Sequence, residues 1–196
     1  MPPQAQVLAF PGGAPRSVTQ WGPRHPGETL HLGCGRDLLA DCFNVDRVLL
    51  QGVDLAVDLD VLPWPFASHS WDRIKMFHVA EHLKDRIGTF REIHRILKPG
   101  GVCEMKVPHV SSSDAWDDPT HIQFFTRKSF RYLDRKSPMN YYFDFGFQSC
   151  EATNHFGTGL PGRINGLMNP IVNNQLYDYA LWKLIPCAEI RVTLVK

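Results

Sequence analysis

One short stretch, Thr29–Gly35, limits the possible folds of this chain more than any other. It reads T-L-H-L-G-C-G, with leucines at 30 and 32 and two glycines one residue apart. This pattern predicts a short buried strand that ends in a tight turn, where a ligand can approach without meeting a Cβ atom. A second apolar run, Phe43–Val45, ends in Asp46. An acidic residue at that place in a nucleotide-binding unit can accept hydrogen bonds from both hydroxyls of a ribose.

The rest of the chain alternates between short apolar runs and helical patterns. Further strands are predicted at 53–57, 71–76, 102–107, 147–156 and 189–195. Helices are predicted at 85–97, at 126–133 behind an N-cap at Thr126, and at 171–184. The connection 36–42 has room for two helical turns at most. Strands that alternate with helices predict an α/β fold with a mainly parallel sheet, helices on both faces and an antiparallel edge.

Composition argues against several classes of protein. The net charge of +1 gives no reason to expect a nucleic-acid or membrane surface, and no apolar run approaches the roughly 18 residues of a membrane span. Five cysteines without C-x-x-C spacing favour reduced thiols in the cytoplasm over a disulfide framework or a zinc knuckle. Residues 1–27 hold six of the 15 prolines and are expected to form an extended arm. Residues 28–196 are expected to form one domain.

Five motifs in a fixed order give the chain a family resemblance. They are L-H-L-G-C-G at 30–35, N-V-D at 44–46, D-L-D-V-L-P-W-P-F at 58–66, S-W-D-R-I-K-M-F-H-V-A-E-H-L at 70–83 and R-I-L-K-P-G-G at 95–101. Together they resemble the class I S-adenosylmethionine-dependent methyltransferases, in particular the type 11 methyltransferase-domain group. The resemblance implies a Rossmann-like, mostly parallel sheet of seven strands in the order 3-2-1-4-5-7-6, with strand 7 antiparallel. It also implies S-adenosyl-L-methionine as the cofactor.

The same resemblance assigns a cofactor site over the carboxyl ends of strands 1, 2 and 3. Its implied residues are Gly33, Cys34, Gly35, Asp46, Asp58, Leu59 and His78. The glycine turn would pass beneath the methionine and ribose portions, and Asp46 would bind the ribose hydroxyls. Asp58 and the backbone of Leu59 would meet the adenine edge, while His78 would lie near the sulfonium. No chemistry is assigned to the cysteine thiol in the turn.

Three departures from the family pattern predict a trimmed cofactor site. The family usually carries an acidic residue two positions before the first glycine, and this chain has His31 there. The third glycine of the loop is replaced around Arg36 and Asp37, and Asp37 is a hypothetical substitute for the lost carboxylate. The helices after strands 1 and 2 are nearly absent because the connections are short.

The segment Ser111–Thr126 holds the candidates for catalysis, because in this fold it covers the substrate. It contains D-D-P-T-H at 117–121, in which His121 or Asp118 is a candidate base. The alternative is a structural turn in which Asp118 caps a helix. His109, directly after strand 5, is either a base that deprotonates an acceptor hydroxyl or a hydrogen-bonded loop histidine.

Three functions remain open from the sequence. The first is methyl transfer, in line from the sulfonium to an O, N or C nucleophile of a small-molecule or sugar-type substrate, mostly by alignment. The second is a catalytically inactive S-adenosylmethionine-binding or regulatory module, which His31 and the short connections suggest. Membrane and nucleic-acid partners are not expected.

The third function is a zinc-dependent hydrolase built on H-x-x-E-H at 78–82. At helical spacing, His78 and His82 would share one face and could bind zinc. The same letters are also the ordinary start of the helix after strand 4 in the resembled family, and no third ligand is obvious downstream. We therefore expect no metal ligands in this motif.

Overall fold

The structure, a computed structural model, describes residues 21–156, 173 and 175–196. Within these residues seven strands form one sheet in the order β3-β2-β1-β4-β5-β7-β6. The strands are β1 (Thr29–Leu32), β2 (Cys42–Asp46), β3 (Leu55–Ala56), β4 (Trp71–Phe77), β5 (Leu97–Pro108), β6 (Ser149–His155) and β7 (Glu189–Val195). Strands β1 to β5 are parallel, and β7 is antiparallel to β5 and β6. The predicted Rossmann-like fold, strand order and antiparallel strand are confirmed.

Apart from one helix of 11 residues, the helices among the described residues are short. The α-helices are α1 (Arg86–Ile96), α2 (Asp114–Asp117) and α3 (Gln175–Tyr179), and 3₁₀ helices span Ala80–His82, Arg127–Leu133, Asn140–Tyr142 and Leu181–Lys183. Helix α1 begins where the Asp85 carboxylate accepts the Gly88 N–H at 2.8 Å. The predicted helix at 126–133 is 3₁₀, with the expected cap at Thr126. The predicted arm before residue 21 and residues 171, 172 and 174 of the predicted helix lie outside the described residues.

The core fills both faces of the central strands, as parallel sheets require. Side chains of β1, β4 and β5 that are at most 1% exposed include Leu30, Leu32, Ile74, Met76, Cys103 and Met105. Helix α1 adds the buried face formed by Phe90, Ile93 and Ile96. Because this core leaves little space for polar groups, the functional side chains are found where the strands end.

The connections after β1 and β2 are held by side chains instead of helices. Residues 33–41 and 47–54 are all described and contain no helix, as predicted. The Asn44 side chain accepts the Leu39 N–H at 3.1 Å and donates to the Leu39 carbonyl at 3.0 Å. Asp54 accepts the Asn44 N–H at 2.7 Å in place of a backbone carbonyl, which shortens β3 from the predicted five residues to two.

His31, the departure from the family pattern, is part of this sheet. Its ring is 2% exposed, and its Nδ1 atom lies 3.1 Å from the Asn44 Oδ1 atom. Burial lowers the pKa of His31, so the neutral ring donates from Nδ1 to the amide oxygen. His31 therefore braces β1 against β2.

Candidate active site

The glycine turn after β1 has the strained shape that the sequence predicts. Gly33 has φ +68°, and a Cβ atom there would lie 2.2 Å from the Val79 side chain. Gly35 has φ +52°, a left-handed conformation that favours glycine. The Cys34 N–H donates to the Val45 carbonyl at 3.0 Å, so the turn is tied to β2. Burial raises the pKa of the Cys34 thiol to about 11, which leaves it protonated and unreactive.

Asp46, at the end of β2, holds the glycine turn from the other side. Its Oδ2 atom accepts the Gly35 N–H at 2.7 Å, and its Oδ1 atom accepts the Val48 N–H at 3.0 Å. An ionised carboxylate offers about four acceptor positions. The two bonds leave two of these positions unused, and Asp46 lines the cavity described next.

A cavity of about 280 Å³ opens over the carboxyl ends of β1, β2, β3 and β4. Its lining comprises Gly33, Asp46, Arg47, Val57, Asp58, Leu59, Asp60, His78, Val79, His82 and Leu83. The structure thus brings five of the seven predicted cofactor residues to one cavity. The other two, Cys34 and Gly35, lie in the turn behind it.

Asp58 and Leu59 follow β3 at one end of the cavity. The Asp58 Oδ1 atom accepts the Asp60 N–H at 3.1 Å, and its Oδ2 atom lies 3.5 Å from the guanidinium of Arg47. The Leu59 carbonyl accepts the Trp64 indole N–H at 3.0 Å. These bonds fix the backbone around the Asp58 carboxylate, which is itself 38% exposed.

His78 directly follows β4 and has an unusual backbone conformation. Its φ of +55° is rare for a residue with a side chain, and such strain is concentrated at functional sites. Its ring lies between two carboxylates, with Nε2 3.7 Å from Glu189 and Nδ1 3.5 Å from Glu81. These carboxylates raise the pKa of His78 to about 9, and the imidazolium lowers the pKa of Glu189 to about 2.

The H-x-x-E-H motif is not a helix in the structure. Ala80–His82 is a single 3₁₀ turn, while His78 precedes it in the left-handed conformation. His78 and His82 therefore lack the shared helical face on which the hydrolase alternative depends. The expected helix α1 begins only at Arg86.

The segment after β5 folds back over this motif. The N–H groups of Ile122 and Gln123 both donate to the Glu81 carbonyl at 2.9 Å. The same segment is tied to helix α1 by hydrogen bonds from the Arg86 guanidinium to the Gln123 amide oxygen. These bonds bring the D-P-T-H motif at 118–121 into contact with the H-x-x-E-H motif at 78–82, although the two motifs are far apart in the sequence.

Hydrogen bonds orient both histidines at this contact. Thr120 donates from Oγ1 to the Asp118 carboxylate at 2.7 Å, and the same Oγ1 atom lies 2.9 Å from His82 Nδ1. His121 Nδ1 lies 3.2 Å from the Ala115 carbonyl oxygen. The His82 and His121 rings are in edge contact, with centroids 4.6 Å apart. Asp118 thus supports His82 through Thr120, a role that the sequence did not indicate.

Glu81 lies beneath the two rings and is the residue that sequence reasoning missed. Its side chain is 1% exposed, and neither carboxylate oxygen has a hydrogen-bond partner among the described residues. His121 Nε2 lies 4.0 Å from its Oε1 atom. The sequence does hold a signal for Glu81: a glutamate in a segment that is expected to be buried needs a partner or a function.

His109 lies outside the cavity lining. It is 1% exposed, and its Nδ1 atom accepts the Ser111 N–H at 3.1 Å. The rings of Tyr177 and Trp182 lie 6.1 and 6.3 Å from it, and burial lowers its pKa to about 4. The structure therefore places His121, and not His109, beside the residues that line the cavity.

The strand order, the antiparallel β7 and the cavity over the glycine turn define a class I methyltransferase fold. The family described as "Methyltransferase domain" matches residues 13–136. The chain therefore belongs to this family, and it is an S-adenosylmethionine-dependent methyltransferase. A comparison with curated proteins finds no match.

Solved structures share the fold at low sequence identity. A SAM-dependent methyltransferase from Archaeoglobus fulgidus is similar over 86% of both chains, with 14% identity and a TM-score of 0.53. An S-adenosylmethionine-dependent methyltransferase from Mesorhizobium loti matches 86% of this chain and 90% of its own, with 14% identity and a TM-score of 0.54. Phosphoethanolamine N-methyltransferase 2 of Haemonchus contortus, in complex with S-adenosyl-L-methionine, matches 92% of this chain and 51% of its own, with 16% identity and a TM-score of 0.57.

Proposed function

We propose that the cavity over β1 to β4 binds S-adenosyl-L-methionine and that the acceptor is a small-molecule or sugar-type compound. The observation that carries this proposal is the convergence of Gly33, Asp46, Asp58, Leu59 and His78 on one cavity. They come from four different strand ends. The cavity that they line lies outside the carboxyl ends of the parallel strands, where open α/β sheets bind their ligands.

Asp46 fits the ribose portion of the cofactor. Its carboxylate is already positioned by the N–H groups of Gly35 and Val48, at 2.7 and 3.0 Å. The two acceptor positions that remain match the two hydroxyl donors of a ribose. Gly33 fits as well, because its backbone lies at the cavity wall without a side chain in front of it.

Asp58 and Leu59 fit the adenine edge. A carboxylate can accept from the exocyclic amino group, and a neighbouring backbone N–H can donate to a ring nitrogen. At the other end of the cavity, the carboxylates of Glu81 and Glu189 lie beside His78. Two carboxylates around one imidazolium leave a net negative charge, which favours a sulfonium cation there.

When bound, S-adenosyl-L-methionine supplies the methyl group from its sulfonium. The chain contributes alignment of the acceptor, and proximity accounts for most of the rate. Where the acceptor is a hydroxyl, its proton has to leave as the new bond forms, and His121 is the base that we propose. Its Nδ1 atom faces a carbonyl oxygen, so Nε2 carries the lone pair that can take the proton.

We also propose a reducing compartment, the cytoplasm, for this enzyme. All five cysteines lie in the described segments and all are free thiols. Disulfides are rare in the cytoplasm, where thiols stay reduced. Within the described part of the chain, no helix has the length and apolar character that a membrane crossing requires.

The test measures binding and turnover separately. S-adenosyl-L-homocysteine is titrated by calorimetry into the wild-type protein, Asp58→Ala and the control Asp72→Ala, which alters an exposed Lys98 pair at the other end of β4. We expect Asp58→Ala to weaken binding at least fivefold and the control to leave it unchanged. S-adenosyl-L-homocysteine release is then screened against fractionated metabolite pools. Binding without release from any pool supports the inactive-module alternative, and no binding refutes the site.

A further inference from the structure

The Glu81 carboxylate is a buried charge without a hydrogen-bond donor. It is 1% exposed, and no described residue donates to either of its oxygens. The His78 Nδ1 atom at 3.5 Å is too far for a good hydrogen bond, and His121 Nε2 is farther at 4.0 Å. Buried polar groups are almost always satisfied, and an exception calls for a water, an ion or a functional role. A buried charge is more costly still unless it is paired or coordinates a metal.

Two imidazoles share this position with the carboxylate. One ligand atom from each of Glu81, His82 and His121 lies within 4.8 Å of the other two. Ligand atoms of a tetrahedral zinc site are about 3.4 Å apart, given bonds of about 2.0–2.1 Å. Metal binding would therefore have to draw these ligand atoms together by up to about 1.4 Å.

Both imidazoles are held in the tautomer that a metal needs. The Ala115 carbonyl can only accept, so His121 carries its proton on Nδ1 and its lone pair on Nε2. The Thr120 hydroxyl donates to Asp118, so it accepts from His82 Nδ1, which again leaves the lone pair on Nε2. A hydrogen bond from the second ring nitrogen to a carbonyl or carboxylate relay is the usual support of a metal-binding histidine.

We propose that Glu81, His82 and His121 form a binding site for one divalent transition-metal cation, for which Zn²⁺ is the best fit. Two imidazole nitrogens and one carboxylate are the ligands of known catalytic zinc sites. The sequence argued against metal because H-x-x-E-H offered no third ligand. The proposed site uses His82 and His121 instead of the pair His78 and His82 of the hydrolase alternative, and it adds Glu81 as the third ligand.

The position of this site suggests what the cation does. His82 lines the proposed cofactor cavity, so the cation lies at the edge of that cavity. Three protein ligands leave at least one coordination position open. In a role that rests on the proposed function, this position binds the acceptor hydroxyl and lowers its pKa, so that its proton passes to solvent. With the cation bound, His121 Nε2 is a ligand, and the cation takes the place of His121 as the group that activates the acceptor. The acceptor class is therefore a hydroxyl compound.

The first experiment measures metal binding without cofactor. Tag-free, metal-stripped protein is titrated with Zn²⁺ by calorimetry, and Co²⁺ is used to record the absorption bands of the site. We expect one equivalent to bind. His82→Ala and His121→Ala should each weaken binding at least tenfold, and Thr120→Val, which removes the acceptor for His82 Nδ1, should weaken it by about 10–100-fold. His25→Ala, an exposed histidine at the other end of the sheet, is the matched control and should stay within twofold.

The second experiment uses Glu81→Gln to separate a ligand from a structural residue. Glu81→Gln loses the 3.5 Å ion pair with His78 together with the buried carboxylate, so the melting temperature of the metal-free variant serves as its own baseline. The same change should abolish the rise in melting temperature that Zn²⁺ gives the wild-type protein. A carboxylate with a structural role alone would leave that Zn²⁺-dependent rise in place in the variant.

Two results would overturn the proposal: no stoichiometric Zn²⁺ binding by the wild-type protein, or unchanged binding in His121→Ala with the fold intact by circular dichroism. S-adenosyl-L-homocysteine is titrated into the same metal-free protein. If it binds while Zn²⁺ does not, the metal site alone has failed. If Zn²⁺ binds and S-adenosyl-L-homocysteine does not, the proposed function has failed.

Discussion

The most direct test of the cofactor site is the removal of the Asp46 carboxylate. Asp46 is proposed to do two things at once: it holds the glycine turn through the N–H groups of Gly35 and Val48, and it accepts the ribose hydroxyls. Asp46→Ala removes both functions. Asp46→Asn keeps one acceptor oxygen, so it retains part of the turn and loses the charge.

The structure sets the size of the expected effects. Hydrogen bonds to charged groups contribute roughly 1.5–3 kcal/mol each when well buried. The Asp46 carboxylate is partly exposed, so we take a smaller value, about 0.5–1.5 kcal/mol for each of the two bonds to Gly35 and Val48, or about 1–3 kcal/mol in total. At about 2–4 °C per kcal/mol for a chain of this length, Asp46→Ala should melt about 2–12 °C lower. Loss of two bonds to the ribose should weaken cofactor binding by about 10–1,000-fold, or about 1.4–4 kcal/mol.

Calorimetric titration with S-adenosyl-L-homocysteine and thermal unfolding by circular dichroism give the two quantities. Asp72→Ala is the control, because its pair with Lys98 is solvent-exposed and such pairs contribute about 0–1 kcal/mol. Asp46→Asn should lie between Asp46→Ala and the wild-type protein in both measurements. An Asp46→Ala variant that folds and binds within twofold of the wild-type protein would refute the assignment of Asp46 to the ribose.

Three further predictions concern single residues. Gly33→Ala should destabilise the protein and weaken S-adenosyl-L-homocysteine binding, since the new methyl group meets Val79; Gly33→Ala with Val79→Ala should recover part of the melting temperature. His121→Ala should lower turnover by about 10²–10⁴-fold and leave S-adenosyl-L-homocysteine affinity within about threefold, or about 0.7 kcal/mol. If His121→Ala keeps full turnover, His121 does not take part in catalysis, and alignment of the acceptor alone accounts for the rate. His109→Asn should keep turnover and change the pH dependence of stability. The neutral His109 ring is favoured in the folded state, so the free energy of unfolding of the wild-type protein should fall by about 3 kcal/mol between pH 6.5 and pH 4. In the variant this free energy should fall by about 3 kcal/mol less. Chemical denaturation at each pH measures both values.

Much of the fold could be predicted because its determinants are local. The strands at 29–32 and 189–195 have the bounds that their apolar patterns predict, and helix α1 lies within one residue of its predicted range at each end. β3 was predicted too long, because the Asp54 side chain takes a hydrogen bond that a backbone ladder would otherwise make. Local periodicity cannot show that a side chain replaces a carbonyl.

The candidate site was only partly predictable, because it depends on contacts between distant segments. Residues at the ends of β1 to β4 could be placed together, since the carboxyl ends of parallel strands share one edge of a sheet. The approach of His121 to Glu81 could not be foreseen. It depends on two backbone hydrogen bonds from residues 122 and 123 to the Glu81 carbonyl, which no side-chain pattern indicates. His109 and His121 look equivalent in the sequence, and only their surroundings in the structure separate them. His109 lies beside Tyr177 and Trp182, whereas His121 contacts His82.

The end of β4 joins the two halves of the proposed active site. His82 belongs to the cofactor cavity, while Glu81 receives the segment that carries His121. The backbone and the side chain of Glu81 have different roles. Its carbonyl accepts the N–H groups of Ile122 and Gln123, whereas its carboxylate lies near the imidazoles. A change from Glu to Gln leaves the carbonyl in place. The segment should therefore keep its position when the charge is lost, so an effect of Glu81→Gln on metal binding or turnover reports the chemistry of the carboxylate and not a displaced loop.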